Sequence, residues 1–128
     1  DGKPGADARI KKIYKIDLAG ATDIRDLKQL PTSGIPAGVV PASKQLFIDL
    51  LDPAFGLAGT SFPEKIEGLA FGPDLEDGRH LLLVMNDNDF IASQPTRLFA
   101  FAVDHYVLPG FQAQQIGRGH GGECRHHD

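Results

Sequence analysis

The sequence lacks several features that would assign a chain to a class at once. It has one cysteine and no tryptophan, so an internal disulfide framework is excluded. No apolar run approaches the roughly 20 residues of a membrane-spanning helix, and the run at residues 81–85 has only the length of a buried strand. Lysine and arginine are scattered and the formal net charge is −4, which excludes the basic footprint of a nucleic-acid-binding domain.

Motifs for nucleophilic catalysis are also missing. The chain contains no Gly-x-Ser-x-Gly sequence, the turn that presents the serine of many hydrolases. Four serines lie in predicted loops without a histidine nearby in the sequence: Ser33, Ser43, Ser61 and Ser93. A serine-based mechanism therefore finds no support, and His80 and His105, which flank predicted strands, are interpreted as structural.

Glycine and proline, by contrast, are abundant, with 15 and 9 residues respectively, a composition that suits strands joined by turns. Alternating or continuous apolar patterns predict strands at residues 9–18, 66–71, 81–85 and 98–103. Residues 45–51 fit either a strand, which we favour because Pro53 follows closely, or a short helix capped by Ser43. Residues 19–42 predict a long irregular connection with one short turn of helix near Ile24–Leu27.

The strands at 81–85 and 98–103 are apolar on both faces and require cover above and below. No amphipathic helix is predicted to supply it, so sheets must stack on sheets. The predicted fold class is all-β, a partial β-propeller of antiparallel meander blades with long loops. A four-bladed propeller needs about 16 strands and roughly 160 residues. The chain is therefore either a two-layer remnant or a part of a larger protein.

Oxygen-bearing side chains fall at the ends of two predicted strands. Glu67 and Gly68 begin one strand, and residues 87–89 (Asp-Asn-Asp) follow the next. Carboxylate and amide oxygens are the ligands that Ca²⁺ prefers, so Glu67, Asp87, Asn88 and Asp89 are predicted metal ligands. The competing interpretations are a solvated glutamate at position 67 and, for residues 86–89, a turn stabilised by Asp and Asn side chains. The segment is not an EF-hand loop, because the required glycine and terminal glutamate are absent.

Two further groups of residues carry weaker signals. Lys65 and Arg97 could contact the phosphate of a substrate, although scattered bases are not specific. Near the end of the chain, His120, Cys124, His126 and His127 are competent zinc ligands, but their spacing matches no standard structural site. Residues 116–128 are predicted to be a flexible Gly/His-rich tail.

Several ordered stretches resemble the phytase-like family, described as "esterase-like activity of phytase". The similar segments run from about residue 10 to about 115 and are residues 14–18, 20–23, 40–53, 62–74, 86–90, 95–104 and 108–111. Residues 1–115 are thereby identified as the C-terminal part of a phytase-like β-propeller domain. The opening residues Asp-Gly-Lys-Pro fit a mature form or a piece of a longer chain.

The resemblance implies a secreted or periplasmic protein with esterase or phosphatase activity, and its other propeller blades as partners. The family's signatures fall on residues 67–69 and 87–89. A looser likeness to gluconolactonase-like propellers makes Glu67 the equivalent of a divalent-metal ligand. We expect Glu67 and Asp87 to be catalytic in metal-assisted hydrolysis of a small ester or phosphoester, with Lys65 and Arg97 binding the substrate. The alternatives are a non-catalytic, calcium-stabilised binding or scaffold module, and a fragment that is inactive and self-associates.

Overall fold

The computed structural model describes residues 1–114, and this part of the chain is all-β. Its five strands are β1 (Lys12–Asp17), β2 (Ser43–Asp49), β3 (Lys65–Phe71), β4 (His80–Asp87) and β5 (Leu98–Val103). The helical elements between residues 1 and 114 are three short 3-10 helices, Gly5–Asp7, Pro53–Phe55 and His105–Val107. The predicted all-β class is confirmed, and each predicted strand is present with ends shifted by a few residues at most. By their contacts, the residues divide into two compact units, Asp1–Lys65 and the part from Ile66 onward.

The first unit contains a two-stranded antiparallel sheet of β1 and β2. Tyr14 lies opposite Leu46 and Ile16 opposite Lys44, with a β-bulge after Ile13 that shifts the register. The strand prediction for residues 45–51 is confirmed by β2, and the alternative of a helix capped by Ser43 is wrong. The apolar side predicted for β1 is largely exposed, since Ile16 keeps 62% of its surface in contact with solvent.

The connection between β1 and β2 has no strand or helix, as its composition predicts. Where one short turn of helix is expected, Ile24–Leu27 form a single hydrogen-bonded turn that is not assigned as helix, with Leu27 N–H donating to the Ile24 carbonyl at 3.0 Å. One isolated turn fixes several backbone angles for one hydrogen bond, so it does not propagate into a helix without further support. Thr22 and Val40 hold the two arms of the connection together, at 2.8 Å between Thr22 N and the Val40 carbonyl oxygen.

A buried lysine ties the start of the first unit to its end. The Lys11 side chain is only 2% exposed, and its ammonium lies 3.6 Å from the Asp1 carboxylate. It donates hydrogen bonds to the carbonyl oxygens of Asp1 and Glu64 and lies 5.7 Å from the centre of the Phe62 ring. Burial lowers the pKa of Lys11, and the charge of Glu64 opposes that change. The contacts compensate the ammonium for the water it has lost.

The second unit is a three-stranded meander in the order β3-β4-β5. In the β4–β5 ladder, Leu82 lies opposite Phe101 and Val84 opposite Phe99. Leu82 and Val84 are 1% and 0% exposed, whereas Leu98 on the other face of the sheet is 62% exposed. Cover was expected on both faces of β5. Within the described residues, one face is covered and the other is exposed.

His80, at the start of β4, has a structural environment. Its Nδ1 lies 2.7 Å from a carboxylate oxygen of Asp74, and its ring meets the Phe111 ring edge-on at a centroid distance of 4.9 Å. Phe111 also packs against Phe71 at 4.3 Å. The segment after β5 is thus fixed on the face that carries His80, in agreement with the structural interpretation of this histidine.

A closed propeller is not formed by residues 1–114, so the propeller stays a prediction. The predicted domain boundary at residue 115 and the tail at 116–128, with its four metal-competent side chains, lie outside the described residues. Across residues 1–114, no helix has the length and apolarity to cross a membrane.

Candidate functional site

A cleft of about 370 Å³ lies where β3 begins and β4 ends. Neighbouring antiparallel strands bring the start of one and the end of the other to the same edge of a sheet. The lining residues are Glu67, Gly68, Met85, Asn86, Asp87, Asn88 and Thr96. Three of the residues singled out from the sequence, Glu67, Asp87 and Asn88, are therefore brought together by the meander.

Gly68 allows β3 to lie close to β4 beside the cleft. A Cβ atom built on this glycine would lie 3.1 Å from the Cβ of Met85 and 3.4 Å from its carbonyl oxygen. The shorter of these distances is tighter than an ordinary contact, so a side chain at this position would require Met85 to shift by a few tenths of an ångström. The close backbone packing expected at this glycine is thus present.

The two carboxylates of the cleft differ in their contacts. Asp87 uses one oxygen, Oδ1, to accept the backbone N–H of Asp89 at 2.8 Å. The Glu67 carboxylate is exposed and makes no hydrogen bond or ion pair with any residue in the range 1–114. One carboxylate is therefore fixed by the turn, while the other keeps its oxygens available to solvent or a ligand.

Asn86, which was interpreted as a turn residue and not as a ligand, closes the connection from β4 to β5. Its side chain is buried, with the residue 4% exposed. Oδ1 accepts the backbone N–H of Arg97 at 2.5 Å, and Nδ2 donates to the carbonyl oxygen of Pro95 at 3.1 Å. An asparagine at the end of a strand signals a turn without showing which side chain faces inward, so only the alternation of β4 could have identified it.

Asn88 makes a second pair of contacts in the same connection. Its Nδ2 donates to the Gln94 carbonyl at 3.2 Å, and its Oδ1 accepts the backbone N–H of Phe90 at 3.1 Å. The interpretation of residues 86–89 as a turn is therefore correct for the two asparagines. The amide oxygen of Asn88 has only one lone pair left for a ligand.

The turn after Asn88 has an unusual backbone. Asp89 and Phe90 have φ values of 53° and 59°, and Ile91 N–H donates to the Asn88 carbonyl at 2.9 Å. Two consecutive positive φ angles define a type I′ turn, which favours Asn and Gly over a bulky residue. The Phe90 side chain is fully exposed, so packing of its ring does not compensate for the conformation.

The remaining predicted site residues do not line the cleft. Asp89 lies in the turn just described, and Lys65 is the first residue of β3. Arg97 precedes β5, and its backbone N–H is held by Asn86. Thr96, the residue before Arg97, lines the cleft instead of Arg97. The sequence analysis missed it, because no residue pattern distinguishes it from other loop threonines.

A calcium ion needs more oxygen ligands than the cleft supplies. Ca²⁺ takes six to eight of them, and the cleft offers two carboxylates, two side-chain amides and a hydroxyl. No group of three or more His, Cys, Asp or Glu side chains is gathered within residues 1–114. The oxygen chemistry fits calcium, but these residues supply only part of a full coordination shell.

The comparison with known families identifies the class of protein. The model of the phytase-like family, described as "esterase-like activity of phytase", matches residues 1–90 of the 128. The chain belongs to this family, as its sequence resemblance indicates. The match includes the cleft residues from Glu67 to Asn88 and ends before Thr96 and Arg97. No curated protein and no solved structure matched the chain.

Proposed function

We propose that this chain is part of an ester or phosphoester hydrolase and that the cleft between β3 and β4 contributes to its active site. The observation that carries the proposal is that Glu67 and Asp87 both line one cleft of about 370 Å³. A volume of this size suits part of a small-molecule substrate. Membership of the phytase-like family supports hydrolysis as the reaction class.

The proposed cofactor is Ca²⁺, held by Glu67 and Asp87 with Asn88 in support and Asp89 fixing the turn. A divalent cation supplies two kinds of chemistry to a hydrolase, polarisation of the ester oxygen and acidification of a bound water. Glu67 would approach the ion with both oxygens, whereas Asp87 would use the oxygen that does not accept the Asp89 N–H. Positions in the coordination shell that these residues leave open would be taken by water and substrate.

Lys65 and Arg97 are the proposed contacts for the negative charge of a phosphoester. Lys65 precedes Glu67 by two positions on β3, and Arg97 follows Thr96 of the cleft. A guanidinium matches the geometry of phosphate oxygens, and an ammonium adds a compact charge. A neutral ester would not require either residue, so the two bases separate the two substrate classes.

The proposal extends to architecture and location. We infer that the two described sheets belong to a larger β-propeller, whose remaining blades complete the site, and that the protein is secreted or periplasmic. The support for a propeller is the apolar, exposed face of β5, where Leu98 is 62% exposed. Stacking against a further sheet would remove such a face from water.

The second candidate function is a calcium-stabilised binding module without catalysis. It is favoured by the contacts of Asn86, Asn88 and Asp87, each of which hydrogen-bonds the β4–β5 connection. Side chains that hold a turn need no catalytic role. Under this alternative, calcium would stabilise the protein and leave the hydrolysis of any ester at the background rate.

The two candidates are separated by Glu67→Gln, with Glu76→Gln as the matched control because Glu76 is an exposed glutamate outside the cleft. Calcium affinity is measured by titration calorimetry, and turnover is measured on p-nitrophenyl acetate and p-nitrophenyl phosphate, with and without chelator. We expect Glu67→Gln alone to weaken calcium binding about tenfold or more, the effect of losing roughly 1.4 kcal/mol, and to lower turnover. The proposed site would be refuted if calcium binding and turnover were unchanged in both variants. The binding module would be favoured if Glu67→Gln lost calcium binding and the unchanged chain showed no turnover.

A further inference from the structure

The connection between β1 and β2 surrounds a second cavity, of about 380 Å³, within the first unit. Its walls include Leu18, Ile24, Leu30, Ile35 and Val40. These residues come from both arms of the connection, so the cavity is a feature of the loop itself. The proposed hydrolytic function makes no use of it.

The apolar side chains around this cavity are incompletely buried. Leu18, Ile24, Leu30, Ile35 and Val40 are between 40% and 68% exposed. A loop in water gains nothing from gathering large aliphatic side chains around an open concavity, because each exposed square ångström of apolar surface is unfavourable. An apolar occupant would cover these surfaces together.

Two hydrogen bonds join the arms of the connection at the cavity wall. Thr22 N–H donates to the Val40 carbonyl at 2.8 Å, and Val40 N–H donates to the Thr22 hydroxyl oxygen at 2.7 Å. Pro31 and Pro36 in the lining restrict the backbone further, since proline fixes φ. The cavity therefore does not have to be assembled by its ligand, which lowers the entropic cost of binding.

The chemistry of the lining selects an uncharged ligand. None of the lining residues carries a charge, and Thr22 supplies the one side-chain polar group. That hydroxyl already accepts the Val40 N–H and keeps its own hydrogen as a donor. An ionised ligand would lose its hydration without gaining a counter-charge, whereas one neutral oxygen could be accommodated.

We propose that the loop from Leu18 to Ala42 is a binding site for a small, uncharged, apolar molecule of the size and character of a medium-chain alcohol. The volume lies within the range of small-molecule pockets and is too small for a protein helix or an added sheet. The site is independent of the hydrolytic cleft, since every residue that lines it belongs to the first unit.

The test uses all 128 residues. The first variant is Ile35→Asp, which places a carboxylate in the cavity wall. Ile16→Asp is the matched control, because Ile16 and Ile35 are both 62% exposed and Ile16 lies outside the lining. In the control, the new carboxylate faces Lys44 across the β1–β2 ladder. A second variant, Ala42→Phe, fills the cavity without adding charge. The probe is Nile red, monitored by fluorescence and displaced with 1-octanol or with octanoate at pH 8.

We expect saturable binding of one Nile red per chain, displaced by 1-octanol at a concentration about tenfold lower than by octanoate, a difference of roughly 1.4 kcal/mol. Ile35→Asp and Ala42→Phe should each abolish this binding, while Ile16→Asp retains it. Size-exclusion chromatography accompanies each titration. Binding that is non-saturable, that survives Ala42→Phe, or that appears only in a dimer would overturn the proposal, the last outcome identifying a second copy as the occupant.

Discussion

The two units of the chain achieve order in different ways. Residues 66–114 form a meander whose central strand β4 alternates between buried and exposed positions, with Leu82 and Val84 almost fully buried. Residues 1–65 contain two strands separated by the long connection that surrounds the apolar cavity. A two-stranded sheet alone is marginally stable in water, so the first unit depends more on its turns and on the Lys11 contacts.

This difference shows that strand content alone does not define a core. In the second unit, β4 supplies a buried side chain at every second position, and a substitution at Leu82 or Val84 affects the apolar centre of that face. In the first unit, burial is concentrated in a few residues outside the regular ladder, such as Leu50 and Phe62.

Leu82→Ala should lower the free energy of unfolding by about 2–5 kcal/mol, because it creates a cavity in a fully buried position. Leu98→Ala, at a site that is 62% exposed, should cost much less. Denaturant unfolding measures both, and hydrogen exchange shows whether β4 loses protection before the first unit. Equal effects of the two variants would contradict the one-sided core of the meander.

Asn86→Ala should cost about 1–3 kcal/mol, because the Arg97 N–H and the Pro95 carbonyl lose their partner. Asn88→Ala removes a similar pair of hydrogen bonds from a less buried side chain and should cost less. Thermal and denaturant unfolding give both values. A larger effect of Asn88→Ala would show that the turn, and not the base of the connection, limits stability.

Phe90→Gly should raise the free energy of unfolding by about 1 kcal/mol, because glycine adopts a positive φ without the penalty of a Cβ atom. Phe90→Ala is the control, since it removes the exposed ring and keeps the Cβ atom at φ 59°. We expect Phe90→Ala to leave stability nearly unchanged. Stabilisation by both variants would assign the penalty to the exposed ring instead of the backbone.

Asp77→Asn should have the smallest effect. The backbone N–H and guanidinium of Arg79 lower the pKa of Asp77 from 3.8, so the carboxylate stabilises the folded state above that value. The contribution is lost as the pH falls through the lowered pKa. We expect a melting temperature about 1 °C or less below that of the unchanged chain at pH 7, and a smaller difference at pH 2. A difference as large at pH 2 as at pH 7 would exclude the charge as its source.

Much of the fold could be predicted from the sequence because the strands have distinct apolar patterns and clear turn residues between them. Residues 98–103 coincide with β5, and the strand prediction near residue 45 is confirmed by β2. The bulge after Ile13 could not be predicted, because an extra residue in a strand leaves no mark on its composition. The exposure of Leu98 was also unpredictable, since periodicity cannot show whether a second layer covers a face.

The candidate site was predicted in part. Glu67, Asp87 and Asn88 line one cleft, as their positions at strand ends indicate. Asn86 was missed because its role depends on two backbone groups nine and eleven residues later in the chain. The conformation of Phe90 was also missed, because a phenylalanine gives no sequence signal for a positive φ. The calcium ion and the catalytic roles stay predictions.

Because Lys11 is buried, the reactivity of its amine reports how often the first unit opens. Every lysine lies within residues 1–65, so amine acylation followed by mass spectrometry observes the first unit without interference from the second. Lys44, exposed beside the Tyr14 ring, should be acylated at once. Lys11 should react only when its contacts with Asp1 and Glu64 break, because until then its amine is buried and hydrogen-bonded. The labelling rate at this one position therefore measures how often the first unit opens under native conditions.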